Sequence, residues 1–201
     1  MRPLSVLLTY LVHPLLTPLI GTFFYFRVTP KFSPPEMERG SVLPVFILTV
    51  IIPLVSLLIL KNLGLIRSFR LEKAEERIYP LLVFLVLLLM ILFRIIPARY
   101  SDELYFFFLG MVLVTLACLM VALTGKRVSL HMVGAGTLLM YLIGLSIHFE
   151  KNIILAISAC ALFSGLVGTA RLYLGIHGRA AVLIGFLMGA VSQLLLFRFW
   201  I

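Results

Sequence analysis

Two short polar stretches interrupt an otherwise apolar chain: Arg127-Val128-Ser129-Leu130-His131, and Thr169-Ala170-Arg171 followed by His177. Each lies where one apolar run ends and the next begins. Ionisable groups in such places are costly, about 2.5–3.5 kcal/mol for an Arg near a bilayer centre and less toward its faces. Two His, several Arg and a Ser gathered at one membrane face would make a pocket suited to a phosphate, whose oxygens match the guanidinium fork.

The elements that must position these residues are membrane helices. Across 201 residues the chain is 62% hydrophobic and 12% charged, with a mean hydropathy of +1.17. That composition excludes a soluble globular domain. Seven apolar runs approach the roughly 20 residues needed to cross the hydrocarbon core: Pro3–Phe26, Ser41–Lys61, Tyr79–Ile96, Leu104–Leu123, Ser129–His148, Asn152–Leu174 and Arg179–Trp200. The breaks between them are clear, and most are too short for a separate soluble domain. The expectation is therefore an all-α, polytopic transmembrane bundle of about seven helices, with residues 1–201 forming a single integral membrane domain.

The chain opens Met-Arg-Pro and runs straight into apolar residues with no small-x-small cleavage signal, so this run is taken as the first helix. His13-Pro14 and Pro18 lie inside it and predict a kink. His13 itself reads as packing or snorkelling, since no acid or metal partner is near it in sequence.

Several chemistries find no support. Cys118 and Cys160 lack CxxC spacing and read as small hydrophobes. There is no HExxH, and the eight acidic residues show no metal-ligand spacing within a helix, so no metal or other cofactor is expected. Gly125-Lys126 lacks the glycine-rich loop of a phosphate-binding P-loop. The formal charge of +9 fits anionic lipid headgroups or an anionic substrate, with nucleic acid a poor alternative.

Counting crossings places the polar residues. With seven helices, the links after helices two, four and six emerge on one face and carry Lys73, Arg77, Ser129, His131, Arg171 and His177. The opposite face receives Arg39, Arg99, Asp102, Glu103, Glu150 and Lys151. Each residue also has a plainer role to offer. Arg171, Arg179, Lys126 and Arg127 suit interfacial anchors, and His148 suits an interfacial side chain. Glu72, Glu75, Glu76 and Arg77 suit a solvated amphipathic helix. Gly134, Gly136, Gly165, Gly168, Gly185 and Gly189 suit close helix packing, Gly185-x-x-x-Gly189 above all.

Three segments resemble the motifs of the type 2 phosphatidic acid phosphatase (PAP2) superfamily, membrane phosphatases related in fold to vanadium haloperoxidases. That family's third motif is an Arg, five residues, then a His; Arg171-Leu-Tyr-Leu-Gly-Ile-His177 matches it. Its second motif contains Ser-Gly-His after a Pro, and Val128-Ser129-Leu130-His131 is similar to it. Its first motif, a Lys, six residues, then Arg-Pro, is compressed here to Lys73-Ala-Glu-Glu-Arg77-Ile-Tyr-Pro80. A divergent branch of short bacterial membrane proteins looks closer still. The resemblance covers residues 70–190 and allows a six-helix core.

What the resemblance implies is a metal-independent lipid phosphatase of the bacterial inner membrane, hydrolysing a phosphomonoester or pyrophosphate of an anionic lipid. His177 would be the nucleophile that forms a phosphohistidine, and His131 the proton donor to the leaving oxygen. Lys73, Arg77, Ser129 and Arg171 would hold the phosphate. The family's Asp, four residues beyond the nucleophile, is Ala181 here, and Glu75 or Glu76 is the candidate replacement. The alternative is a catalytically degenerate relative that binds or moves anionic headgroups.

Overall fold

The computed structural model describes residues 13–69, 71–96 and 101–201. These residues form an all-helical bundle with no strand. Seven helices run in chain order: α1 (Thr17–Val28), α2 (Pro35–Asn62), α3 (Glu75–Ile95), α4 (Asp102–Leu123), α5 (Leu130–His148), α6 (Ile154–Tyr173) and α7 (Arg179–Phe199). The six from α2 onward are long and apolar enough to cross a membrane. Their outer faces carry bare apolar side chains, among them Leu58, Met120 and Leu155 (85% exposed). A helix satisfies its backbone internally, so such a surface suits hydrocarbon.

Two boundaries differ from the expectation. The stretch between the first two apolar runs, residues 27–40, reads as a break, yet α2 starts inside it at Pro35. Proline is tolerated at the first helical position because its missing N–H has no intrahelical role there. Glu36 and Glu38 then sit in the first turn, where the helix dipole favours negative charge. At the chain start, His13 is extended (ψ 136°) and a single 3₁₀ turn over Pro14–Leu16 precedes α1. The proline pair thus interrupts the run instead of bending it. Residues 3–12 of that run lie outside the described residues, as does Arg99 in the link before α4.

The links alternate between faces as the crossing count requires. Links 63–74, 124–129 and 174–178 meet at one end, where Arg77 bonds Val128 and lies against His177. At the other end Glu103, only 2% exposed, takes Lys31 Nζ at 2.7 Å and His148 Nε2 at 2.9 Å on one carboxylate oxygen. His148 is therefore a partner of a buried acid and not simply an interfacial ring. Beneath this cluster Phe107 of α4 stacks on Tyr141 of α5, with ring centroids 4.1 Å apart, in a core shared with Tyr25, Phe108, Leu145 and Trp200.

Glycines set the tightest interface. A Cβ at Gly185 would lie 2.7 Å from the Ser129 carbonyl oxygen, and one at Gly189 would strike the Val133 carbonyl and Thr137 N–H. From the other side, Gly136 faces the Phe186 carbonyl oxygen. α5 and α7 thus meet backbone to backbone, as small-residue faces allow. Gly165, by contrast, has open space around it.

Gly189→Ala is accordingly expected to destabilise the protein by about 1–3 kcal/mol through overpacking, even though Ala gains up to about 1 kcal/mol in helix propensity. Gly165→Ala should be neutral or stabilising. Unfolding midpoints in detergent will separate the two, and equal shifts would contradict backbone contact at Gly189.

Candidate functional site: a cationic, histidine-bearing cavity

A cavity of about 180 Å³ opens at the end of the bundle where the three links converge. Most of its wall is apolar, from Leu57 and Leu60 of α2, Phe84 of α3 and Val114 of α4. Its polar lining includes Arg77, Arg171, His13, His131 and His177, and among the described residues no carboxylate faces it. The crossing argument therefore brings four of the six expected site residues to one cavity.

Arg77 is buried and engaged at all three of its nitrogens. Its Nε donates to Leu71 O (3.1 Å), its Nη1 to Val128 O (2.6 Å), and its Nη2 lies 3.3 Å from His177 Nε2. One guanidinium thus ties together all three links. Arg171, in the last turn of α6, is engaged differently. Its Nη2 lies 3.3 Å from His177 Nδ1, while its Nε is buried with no hydrogen-bond partner among the described residues. An unused, desolvated donor is costly unless something accepts from it. Arg171 is the residue equipped to hold an anion.

His177 sits between the two guanidinium groups, in the short link before α7. A neutral imidazole has one N–H and one lone pair. Each ring nitrogen lies 3.3 Å from a guanidinium, Nε2 from Arg77 and Nδ1 from Arg171, so the lone pair can accept from one of the two arginines. Burial, then the charges of Arg171, Arg77 and Arg127, push the His177 pKa down to about 4. The ring is neutral at pH 7.

The sign of the resulting pH dependence is fixed. Between about pH 6.5 and 4 the unfolded chain protonates this histidine and the folded one does not, so stability falls as pH drops through that window. An anion bound beside Arg171 would oppose the positive field and shrink the loss. Unfolding temperatures of wild type and His177→Asn, compared with and without phosphate, should show the steeper slope in the wild type.

The other expected residues stand elsewhere. Ser129 is fully buried behind the cavity wall, with its N–H donating to Ala181 O (3.0 Å) and its Oγ unpartnered among the described residues. Lys73 is exposed and does not line the cavity. The proposed replacement of the missing Asp also requires correction. The Glu76 carboxylate caps its own link, accepting from Arg67 N and Lys73 N at 3.4 Å each, and Glu75 is exposed. The His177 ring is held between the Arg77 and Arg171 guanidinium groups and not by a carboxylate.

His13 is the lining residue that sequence reasoning set aside. Its ring meets His131 edge to face, with centroids 5.4 Å apart. Cys118, also on the wall, is a buried thiol within an apolar cluster. Among the described residues no three His, Cys, Asp or Glu side chains gather as metal ligands.

Fold and cavity together define the class: a polytopic α-helical membrane protein with an internal cationic pocket bearing histidines. Comparison with protein-family models, curated proteins and solved structures finds no match to this chain.

Proposed function

We propose that the chain is a membrane phosphatase of PAP2-like type, residing in a bacterial inner membrane and hydrolysing the phosphomonoester or pyrophosphate of a lipid through a phosphohistidine on His177. The observation that carries this reading is the Arg171–His177 contact on the wall of a cavity that His131 also lines. The neutral imidazole keeps a lone pair at pH 7, and a bound phosphoryl group frees it for attack by drawing the arginine donor to its own oxygens. Beside it, Arg171 offers a spare donor to the oxygens that gain charge during transfer. His177 attacks phosphorus, the bond to the leaving oxygen breaks, and His131 supplies its proton. Water then attacks phosphorus and gives a proton to His131 while the P–N bond breaks, which releases phosphate and restores both histidines. Arg77 serves by holding His177 and the links in place, and the apolar wall suits the lipid chain.

A non-catalytic headgroup binder is the second reading, favoured by one observation: among the described residues no carboxylate lines the cavity or bonds His177. Guanidinium groups hold the ring but do not neutralise it when it becomes cationic, whereas a buried carboxylate does both.

The test is phosphate release by purified protein in detergent with EDTA present, offered phosphatidate, lysophosphatidate, phosphatidylglycerophosphate and undecaprenyl pyrophosphate. Release from at least one substrate is expected. A folded protein that releases phosphate from none of them would leave the headgroup-binding reading in its place.

A further inference from the structure

His13 reaches the cavity by a specific local construction. Pro14 restricts the residue before it to extended backbone, and His13 adopts it (φ −71°, ψ 136°). The imidazole folds back over the helix start, where Nδ1 accepts from Leu15 N at 3.3 Å. With Nδ1 used as an acceptor, the neutral ring carries its hydrogen on Nε2. Nε2–H is thus fixed as a donor.

The helix start is held against α5 by Gly134. A Cβ there would lie 2.6 Å from Thr17 Oγ1 and 3.5 Å from Pro14 Cα. Gly134 lies three positions after His131, one turn along the same face of α5. Docking Pro14 on Gly134 therefore sets His13 against His131, with the rings inclined by 76°. His13, His131, Arg171 and His177 all line the one cavity. The His13–His131 ring pair and the Arg171–His177 contact are thus two separate clusters on the wall of one cavity.

We propose that His13 is a binding residue of the site, and that His13 and His131 form a second anion subsite beside the Arg171–His177 pair. This rests on the phosphotransfer reading given above and goes further, because it assigns a specificity. A single phosphoryl group against Arg171 and His177 leaves the His13 donor unused. A ligand with a second phosphoryl group uses both clusters, so the site selects a diphosphate ester over a monoester.

The test uses inorganic pyrophosphate and inorganic phosphate as probes, titrated calorimetrically into the full chain in detergent. His13→Asn keeps an acceptor for Leu15 N, since Asn is a good N-cap, but has no donor at the ε position. His13→Gln restores an N–H there. Wild type is expected to bind pyrophosphate more tightly than phosphate. His13→Asn should weaken pyrophosphate about tenfold or more and leave phosphate unchanged, while His13→Gln recovers part of the loss. That pattern in a protein releasing no phosphate from lipids would support the subsite and remove the phosphatase reading alone. Equal pyrophosphate affinity in wild type and His13→Asn would overturn the subsite and leave the phosphatase reading standing. Equal weakening of both anions would mark His13 as purely structural and overturn it too. Binding of neither anion by wild type would overturn both.

Discussion

Replacing His177 by alanine is expected to abolish phosphate release from the lipid that wild type turns over, a loss of about a thousandfold or more. His131→Ala should reduce release by about 10²–10⁴-fold, the usual worth of a positioned proton donor. The two losses are not expected to multiply, since groups acting in one step fail as a unit. A leaving-group series separates the roles. p-Nitrophenol leaves without protonation, so His131→Ala should recover much of its activity on p-nitrophenyl phosphate. His177→Ala should recover none, because no phosphohistidine can form. Equal recovery in both variants would mean that His177 is not the nucleophile. Unfolding midpoints near that of wild type are needed for either variant to count, and the buried His177 ring makes this check the more important for that position.

The helices were legible because an apolar run of membrane length admits few other structures in a bilayer. Convergence of Arg77, His131, Arg171 and His177 was legible too, since alternating crossings alone bring the three links together. Close packing was read correctly at Gly136, Gly185 and Gly189, where a missing side chain lets two backbones touch. It failed at Gly165, because composition does not say which face of α6 meets a neighbour. The start of α2 was misplaced because Pro34-Pro35 breaks a helix from within and begins one from without. His13 and His131 stand far apart in sequence, and only the docking of Pro14 on Gly134 makes them neighbours. The groups that hold His177 were sought among carboxylates and are the Arg77 and Arg171 guanidinium groups, which the motif reading had assigned to the phosphate.

Arg77 was read as a phosphate ligand, and its geometry makes it chiefly a frame, with a consequence of its own. Two opposing effects follow from Arg77→Met. Removing a buried cation from beside Arg171 and Arg127 relieves repulsion. It also deprives the Leu71 and Val128 carbonyls of their guanidinium donor and frees the His177 ring. Hydrogen bonds from a charged donor are worth about 1.5–3 kcal/mol each, and two firm ones are lost, whereas charges around a cavity open to water repel weakly. Leu71 adds to the loss, since its φ of +49° is unfavourable for a non-glycine residue and depends on such ties. The net expectation is a destabilisation of about 2–4 kcal/mol. It should be local first: link 63–74 should open, and trypsin should cleave faster at the exposed Lys73. Arg77→Lys should rescue little, because one ammonium does not reproduce a planar fork directed at three links. An Arg77→Met protein with the wild-type unfolding midpoint and no faster cleavage at Lys73 would show that the links hold together without this residue.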